Sequence, residues 1–368
     1  MAERIAILCI ANNYGPPRTA QALTERGVEV CIVAPPGSYA ALTRFKHADL
    51  LLPRQEIQAK LPSVVGMLAD EFRADLILAG DDIAFAGLAR LVGRLPSLAV
   101  SDATRAVLAR SMPPADRASI LAKDSDMVMA RASAACPSPP SLANPTAPDA
   151  ARFASEIGFP VLVKRDGFSS GRGVTRCEDT VQLTGAIAIV EAASSSFGRG
   201  FVVQKFLSGT VYGASVASAE GGCLGAFTFI KHVVHPAPFG PTAVAKARRH
   251  EAIIADVHDI CERFGVIGFA GFDYVVDAKG QAHFLEINPR IMPTSHLGEA
   301  FGLDLCAALL AHLRGQPLPL PGPALHDHVA LFPNEWLRDP NSTDAATGLH
   351  DEPRDDPNVR AAMMHGKG

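Results

Sequence analysis

The residues whose types and spacing could do chemistry lie in the segment HFLEINPR, at positions 283–290. In an extended strand alternate side chains point the same way, so Glu286, Asn288 and Arg290 are predicted to share one face. The preceding segment GFAGFDYVVD is also strand-like, and the residues AKG between the two segments predict a hairpin. Asp273 then lies on the strand next to Glu286.

The number of residues in the hairpin turn decides whether Asp273 and Glu286 face each other. An even number places both on one side of the sheet, and an odd number separates them. The alternation of residue types favours an even turn, because the other side then becomes uniformly apolar, with Phe272, Tyr274, Leu285 and Ile287.

Two facing carboxylates require a compensating positive charge or a shared proton. At about 4 Å and an effective dielectric near 20 they repel by roughly 4 kcal/mol. Magnesium accepts a few carboxylates together with phosphate oxygens, and Asn288 could complete such a set. The alternative is an exposed hairpin face with ordinary surface charges, which explains Asp273 alone better than it explains the whole group.

A second candidate region is the segment VKRDGFSSGRGV, residues 163–174. Lys164 ends a predicted strand, and the glycines and serines that follow would let backbone N–H groups approach phosphate oxygens. This segment is not a GxxxxGK[ST] loop, and glycine-serine loops are often simple turns. Its interest comes from the acidic hairpin in the same chain.

Composition and charge describe an ordinary globular chain of two or three subdomains. Apolar residues make up 48% of the 368 residues and charged residues 20%, and the net charge of −4 gives no general attraction to nucleic acid or acidic membranes. The seven cysteines form no CxxC pair, which fits a reducing cytoplasm. No apolar run is long enough to span a bilayer, and the first apolar run predicts a strand rather than a signal peptide.

Short apolar runs alternate with helical patterns over the first hundred residues and predict a parallel sheet. Strands are expected at 4–11, 28–35 and 74–82, with a helix at 18–27. The turn ANNYGPP after the first strand is not GxGxxG, and Asp81 and Asp82 are expected to be solvated carboxylates at a strand end. Five prolines in residues 136–148 predict a connector without regular structure.

Mixed α and β patterns follow. Residues 160–164 and 201–207 predict strands, and residues 248–264 a helix whose apolar positions recur at helical spacing. Asp304 is expected to cap a further helix, before a proline-rich stretch at 316–323 and a polar C-terminal segment.

In this order the segments resemble the ATP-grasp superfamily of ATP-dependent carboxylate ligases, over roughly residues 100–315. The resemblance implies an α/β chain with an N-terminal pre-ATP-grasp (Rossmann-like) parallel sheet and a two-lobed α+β ATP-grasp domain. The expected boundaries are 1–105 for the first domain and 106–315 for the second. Within the second, the ATP-binding lobe covers about 125–208 and the catalytic lobe about 209–315, and residues 316–368 are a linker and C-terminal extension.

The resemblance also implies roles for particular residues. Asp273, Glu286 and Asn288 would bind two Mg²⁺ ions, with Mn²⁺ as an alternative, and Arg290 and Lys164 would act on the transferred phosphoryl group. The stretch 202–209 is similar to the hinge that binds adenine, where Gln204 stands at a position that is often glutamate. The implied nucleotide-binding residues are Lys123, Lys164, Ser169, Ser170, Gly171, Gly173, Gln204, Lys205, Phe206 and Leu207.

The implied activity is formation of an acyl phosphate from ATP and a carboxylate, followed by attack of an amine to give an amide, ADP and phosphate. A bicarbonate-activating enzyme and a nucleotide-binding protein without ligase activity are the alternatives. Relatives often carry a ribose-binding acid after the hinge, and GTVY (209–212) has none. Small-molecule carboxylate and amine partners are expected in the cytoplasm, with no nucleic acid or membrane, and a homodimer is left open.

Overall fold

The N-terminal part of the chain is a four-stranded parallel sheet covered by helices. The computed structural model describes residues 2–130, 136–167, 171, 173–194 and 200–366. The sheet has the order β3-β2-β1-β4, and all of its pairings are parallel, as the continuous apolar runs predict. Its elements are β1 Arg4–Leu8, α1 Gly15–Thr24, β2 Glu29–Ala34, α2 Tyr39–Leu42, β3 Ala48–Leu51, α3 Arg54–Ala59, α4 Leu61–Asp70, β4 Leu76–Ala79 and α5 Asp82–Arg94.

Helix α1 begins earlier than residue 18, where the sequence places its start. Pro16 and Pro17 lie in its first turn, where the missing N–H of proline would have no helical partner in any case. Three further helices lead out of this domain, namely α6 Asp102–Ser111, α7 Ala115–Leu121 and α8 Asp124–Ala130.

A second sheet, antiparallel and four-stranded, follows in the order β5-β8-β6-β7. Its elements are β5 Ser141–Ala143, α9 Ala147–Ile157, β6 Val161–Arg165, β7 Val174–Cys177, α10 Thr180–Ser194 and β8 Phe201–Lys205. The prediction of no regular structure in residues 136–148 is therefore wrong. Strand β5 fits between Pro140 and Pro145, and it lies at the edge of the sheet, where flanking prolines remove no ladder hydrogen bond.

The third and largest sheet has seven strands in the order β13-β12-β9-β10-β11-β14-β15. Its first elements are β9 Thr210–Ala219, β10 Gly222–Val234, β11 Thr242–Ala247, α11 Glu251–Phe264, β12 Gly268–Val276, β13 Ala282–Asn288 and α12 Leu305–Leu313. The elements β14 His328–Leu331, α13 Asn334–Arg338, α14 Thr343–Thr347, β15 Leu349–Asp351 and α15 Pro357–Met364 come after them.

The segment predicted as a linker and extension takes part in this sheet. Strand β14 pairs antiparallel with β11, and β15 pairs in parallel with β14. Both strands are only three or four residues long, which is too short to give a periodic pattern in the sequence.

Helix α11 shows how the sequence pattern becomes core packing. The apolar residues that recur at helical spacing are all buried, and the helix ends at Gly265, whose φ of 65° is left-handed. Asp304 caps α12 as predicted, since its side chain accepts a hydrogen bond from the N–H of Ala307. Among the described residues, no helix has both the length and the apolar character needed to cross a bilayer.

Candidate active site

The two predicted metal acids face each other across the β12–β13 pair. Asp273 pairs with Glu286, and Gly271 pairs with Asn288. The turn has five residues, 277–281, so the expectation of an even turn is wrong. Leu285 is an extra residue between the Asp273–Glu286 and Tyr274–Phe284 pairs, and this bulge brings the two acids back to one side.

Lysines supply the positive charge that the facing carboxylates require. Lys231 on β10 forms an ion pair with Asp273, and both side chains are largely buried. Burial, and next the charge of Asp273, raise the pKa of the Glu286 carboxyl above its usual value. The charges of Lys164 and Lys231 act in the opposite direction. The sequence does not indicate Lys231 as the partner of Asp273, because the two residues are 42 positions apart in the chain.

Asn288 completes a small set of oxygen and nitrogen atoms beside the acids. Its Nδ2 donates to Glu286 Oε1 at 3.4 Å, and its Oδ1 accepts from Arg290 Nη2 at 3.1 Å. In the described ranges there is no group of three or more histidine, cysteine, aspartate or glutamate side chains suited to a metal. Two carboxylates and one amide oxygen nevertheless make an all-oxygen donor set, which is what Mg²⁺ prefers when phosphate oxygens supply further ligands.

Arg290 lies directly after β13 and is held by the N-terminal domain. Its Nε donates to Asp82 Oδ1 at 2.8 Å, and only 7% of the Arg290 side chain is exposed. Burial alone would lower the pKa of the guanidinium, but its pairing with Asp82 raises the pKa above the usual value. Next to it, the N–H of Ile291 donates to Ala79 O at 2.9 Å, which joins the end of β13 to the end of β4.

The expectation that Asp81 and Asp82 are solvated is wrong for Asp81, and it holds only in part for Asp82, whose side chain is 32% exposed. Asp81 is 3% exposed, and its carboxylate accepts from the N–H groups of Ile10, Ala11, Ile83 and Ala84 at 2.6–3.0 Å. It therefore caps α5 and also fixes the turn after β1. Asp82 is the partner of Arg290.

The predicted phosphate-side residues lie in different surroundings. Lys164 is the second-last residue of β6, and it lies close enough to Glu286 to influence that carboxyl electrostatically. Lys123 is half-exposed and pairs with Asp126 at 3.2 Å, so its assignment to the nucleotide stays a prediction.

Gly171 of the predicted flap lies against the loop between β10 and β11. Gly171 has a φ of +71°, and a Cβ there would lie 2.2 Å from Phe239 O, so only glycine fits without a shift. The Gly173 carbonyl accepts from Arg165 N–H at 3.0 Å. Ser169 and Ser170 lie outside the described residues.

The predicted adenine hinge runs along and just beyond β8. Gln204 is fully buried and donates to Ser141 Oγ at 3.0 Å, while its Oε1 has no hydrogen-bond partner among the described residues. Lys205 N–H donates to Pro140 O at 2.8 Å, and proline has no N–H with which to return the bond to the Lys205 carbonyl. Phe206 N–H donates to Pro160 O at 3.2 Å.

The hydrogen-bonding groups of the predicted hinge can be compared with those of adenine. The N–H of Leu207 takes part in no hydrogen bond within the described part of the chain. Together with the Lys205 carbonyl and Gln204 Oε1, it offers one donor and two acceptors. That combination matches the edge of adenine, which has a ring acceptor beside an amino donor.

A pocket of about 950 Å³ opens beside the acids. Its charged lining residues are Lys231, Asp273, Glu286 and Arg290. The turn after β1, the start of α2 and the segment from β14 to α13 line other parts of it. No sequence pattern predicts that those parts line the pocket, because they come from opposite ends of the chain.

The chain belongs to the family described as "Carbamoyl-phosphate synthase L chain, ATP binding domain". The family model matches residues 123–320, which is more than half of the 368 residues. The family and the structural neighbours are members of the ATP-grasp superfamily, and the resemblance seen in the sequence is therefore confirmed. This superfamily comprises ATP-dependent ligases.

Particular relatives show how far the similarity extends. The biotin carboxylase of Haemophilus influenzae is 27% identical over 222 residues, which cover 56% of this chain and 48% of the relative. The chain thus spans about half the length of that protein.

Two solved structures share the fold. The biotin carboxylase domain dimer of Hydrogenobacter thermophilus 2-oxoglutarate carboxylase, in complex with MgADP, ADP and bicarbonate, has a TM-score of 0.65 at 18% identity. The match covers 87% of this chain and 71% of that one. The L-amino acid ligase of Bacillus licheniformis has a TM-score of 0.60 at 19% identity, with 87% and 76% covered.

Proposed function

We propose that this protein is an ATP-dependent ligase that activates a carboxylate as an acyl phosphate and couples it to an amine. The observation that carries the proposal is the facing pair Asp273 and Glu286, with Asn288 beside them and Lys164 and Lys231 supplying charge. The substrates would be small molecules, because the pocket beside the acids holds about 950 Å³.

The residues of the site would divide between binding Mg²⁺, the phosphates and adenine. Asp273, Glu286 and Asn288 would hold Mg²⁺, which supplies charge neutralisation for the phosphates of ATP. Lys164 would neutralise the transferred phosphoryl group from the strand end, and Lys205, Leu207 and Gln204 would bind adenine. The ribose would be bound without an acid from residues 209–212.

Arg290 would orient the anionic oxygens of the substrate carboxylate and of the acyl phosphate. Its ion pair with Asp82 fixes the guanidinium before substrate binds, so little reorganisation is needed during the reaction. In the first step a carboxylate oxygen bonds to the γ-phosphorus as ADP leaves. In the second step the amine nitrogen bonds to the acyl carbon as phosphate leaves and the amine loses a proton.

ADP release by the purified protein tests this function. Candidate acid and amine pairs are added with Mg²⁺ and ATP, and products are identified by mass. ADP and phosphate formed in equal amounts with an amide are expected. Formation of AMP and pyrophosphate with the substrates that react would overturn the proposal.

A bicarbonate-activating enzyme is the second candidate function. The similarity to a biotin carboxylase favours it. ADP release that depends on bicarbonate, with no organic acid added, would support this candidate over the first. Measurable ATP binding without any turnover would instead indicate a nucleotide-binding protein that lacks ligase activity.

The assembly state belongs to the same proposal. One structural relative is described as a dimer, and we propose a homodimer here. Light scattering at assay concentration tests it, and a monomeric mass would contradict it.

A further inference from the structure

One side of the pocket carries no charged lining residue. Every pocket-lining residue contributed by the N-terminal domain or by the segment after residue 328 is uncharged. We call this side the neutral wall, and its principal residues are Asn12, Tyr14, Tyr39, Leu331, Asn334 and Leu337.

Two asparagine side chains of the neutral wall are held in place by hydrogen bonds to the backbone. Asn12 Oδ1 accepts from the N–H of Tyr39 at 2.9 Å, and Asn334 Nδ2 donates to Thr242 O at 3.0 Å. The rings of Tyr14 and Tyr39 stack with centroids 5.4 Å apart. The wall is therefore preformed, with aromatic and aliphatic groups turned towards the pocket.

Tyr39 is anchored from behind by the C-terminal segment. It belongs to a buried cluster with Phe332, Val359 and Met363. The two ends of the chain thus build one continuous surface, and the position of each depends on the other.

Leu337 presents an exposed apolar side chain to the pocket, where a ligand could cover it. It lines the pocket and is 44% exposed. Removal of an exposed leucine side chain from water is favourable, and an apolar substrate group that covers Leu337 would gain part of that free energy. A charged substrate group at this wall would lose water without gaining a partner of opposite charge among the wall residues.

The residues of the neutral wall lie in parts of the chain that the family model does not match. Residues 11–39 and 331–337 lie outside the match to the family model at 123–320, whereas Lys231, Asp273, Glu286 and Arg290 lie inside it. Residues outside the shared region can set which substrate is accepted while the shared residues carry out phosphoryl transfer.

We propose, resting on the ligase function above, that the neutral wall binds an uncharged aromatic or aliphatic side chain of a substrate. The protein would thus act on carboxylates or amines whose side chains resemble those of phenylalanine or leucine. It would discriminate against substrates with acidic or basic side chains.

Binding measurements test the preference without requiring turnover. The full chain, saturated with Mg²⁺ and a non-hydrolysable ATP analogue, is titrated calorimetrically with L-phenylalanine, L-leucine, L-glutamate and L-lysine. These four share the α-amino and α-carboxylate groups and differ only in the side chain. Phenylalanine and leucine are expected to bind at least about tenfold more tightly than glutamate and lysine.

A matched pair of variants places the preference at the wall. Leu337→Asp is expected to weaken binding of phenylalanine by about tenfold or more. Leu325→Asp makes the same change at a 63% exposed leucine that does not line the pocket, and it should change nothing.

Three outcomes would overturn the inference: no binding by phenylalanine and leucine, equal or tighter binding of glutamate or lysine, or an unchanged affinity in Leu337→Asp. Retained nucleotide binding by Leu337→Asp shows that the variant is folded. AMP formation in the ADP-release assay would refute the ligase function and leave the measured side-chain preference standing.

Discussion

Replacing Glu286 by glutamine should have opposite effects on stability and on function. The pKa of Glu286 is raised by burial and by the charge of Asp273, so the ionised form costs free energy in the folded protein at neutral pH. Glutamine keeps the shape and removes the charge. The hydrogen bond from Asn288 is long, at 3.4 Å, so its loss or weakening should lower the stability of the folded protein only slightly.

In the metal-free protein, Glu286→Gln is expected to raise the free energy of unfolding only modestly. The gain in stability should be small, because part of the Glu286 side chain reaches solvent and the charges of Lys164 and Lys231 oppose the effect of burial. For a chain of 368 residues, 1 kcal/mol changes Tm by about 1–2 °C. Glu286→Gln should therefore raise Tm slightly in the presence of a chelator.

The sign should reverse when Mg²⁺ and ADP are present. A ligand at 100 times its Kd stabilises the wild type by about 2.7 kcal/mol, and the variant should lose most of this gain because one metal ligand is missing. ADP release should fall at least about 100-fold. Thermal denaturation with and without Mg²⁺ and ADP, together with the ADP assay, measures all three effects.

The control for this experiment is Glu220→Gln, which makes the same chemical change at an exposed position in the turn between β9 and β10. It should leave the Tm values and the ADP assay unchanged. A lower Tm of Glu286→Gln without metal would refute the electrostatic reasoning. A Mg²⁺-dependent Tm shift equal to that of the wild type would refute the metal assignment.

Three further changes test other contacts. Asp82→Asn leaves the buried charge of Arg290 without its acid and should cost about 2–3 kcal/mol, a fall in Tm of about 3–4 °C; an unchanged Tm would contradict this role. Burial lowers the pKa of His296 despite its contact with Asp351, so the unfolded chain takes up the proton first and stability falls as pH drops below about 6.5, by at most about 1.4 kcal/mol per pH unit. His296→Gln should make urea midpoints between pH 7 and 5.5 less pH-dependent, and an identical slope would refute this. Gly171→Ala, strained at φ +71°, should raise the KM for ATP about fivefold or more, and normal kinetics would show that the flap tolerates a side chain.

The sequence predicted the superfamily better than the detailed geometry. The facing of Asp273 and Glu286 was predicted for the wrong reason, because periodicity alone cannot reveal a bulge. The five-residue turn and the extra residue Leu285 compensate for each other in the register. The conclusion was correct because the polar and apolar faces of the hairpin had to separate in any case.

Long-range contacts account for what the sequence could not reveal. Asp81 and Asp82 looked like solvated residues, since nothing local indicates the backbone N–H groups near Ile10 or the guanidinium of Arg290, more than 200 residues away. The pairing of Lys231 with Asp273, 42 residues further along the chain, could not be predicted for the same reason. The roles of Lys123 and the hinge residues stay predictions, as do the expected domain boundaries.

The pocket residues at and after β14 are synthesised last, so a newly made chain completes this part of the pocket last. When residues up to 320 have been synthesised, the chain already contains Asp273, Glu286, Lys164 and the predicted hinge. Leu331, Asn334 and Leu337 come only afterwards. The nascent protein can therefore assemble its phosphate chemistry before it has a complete surface for the substrate.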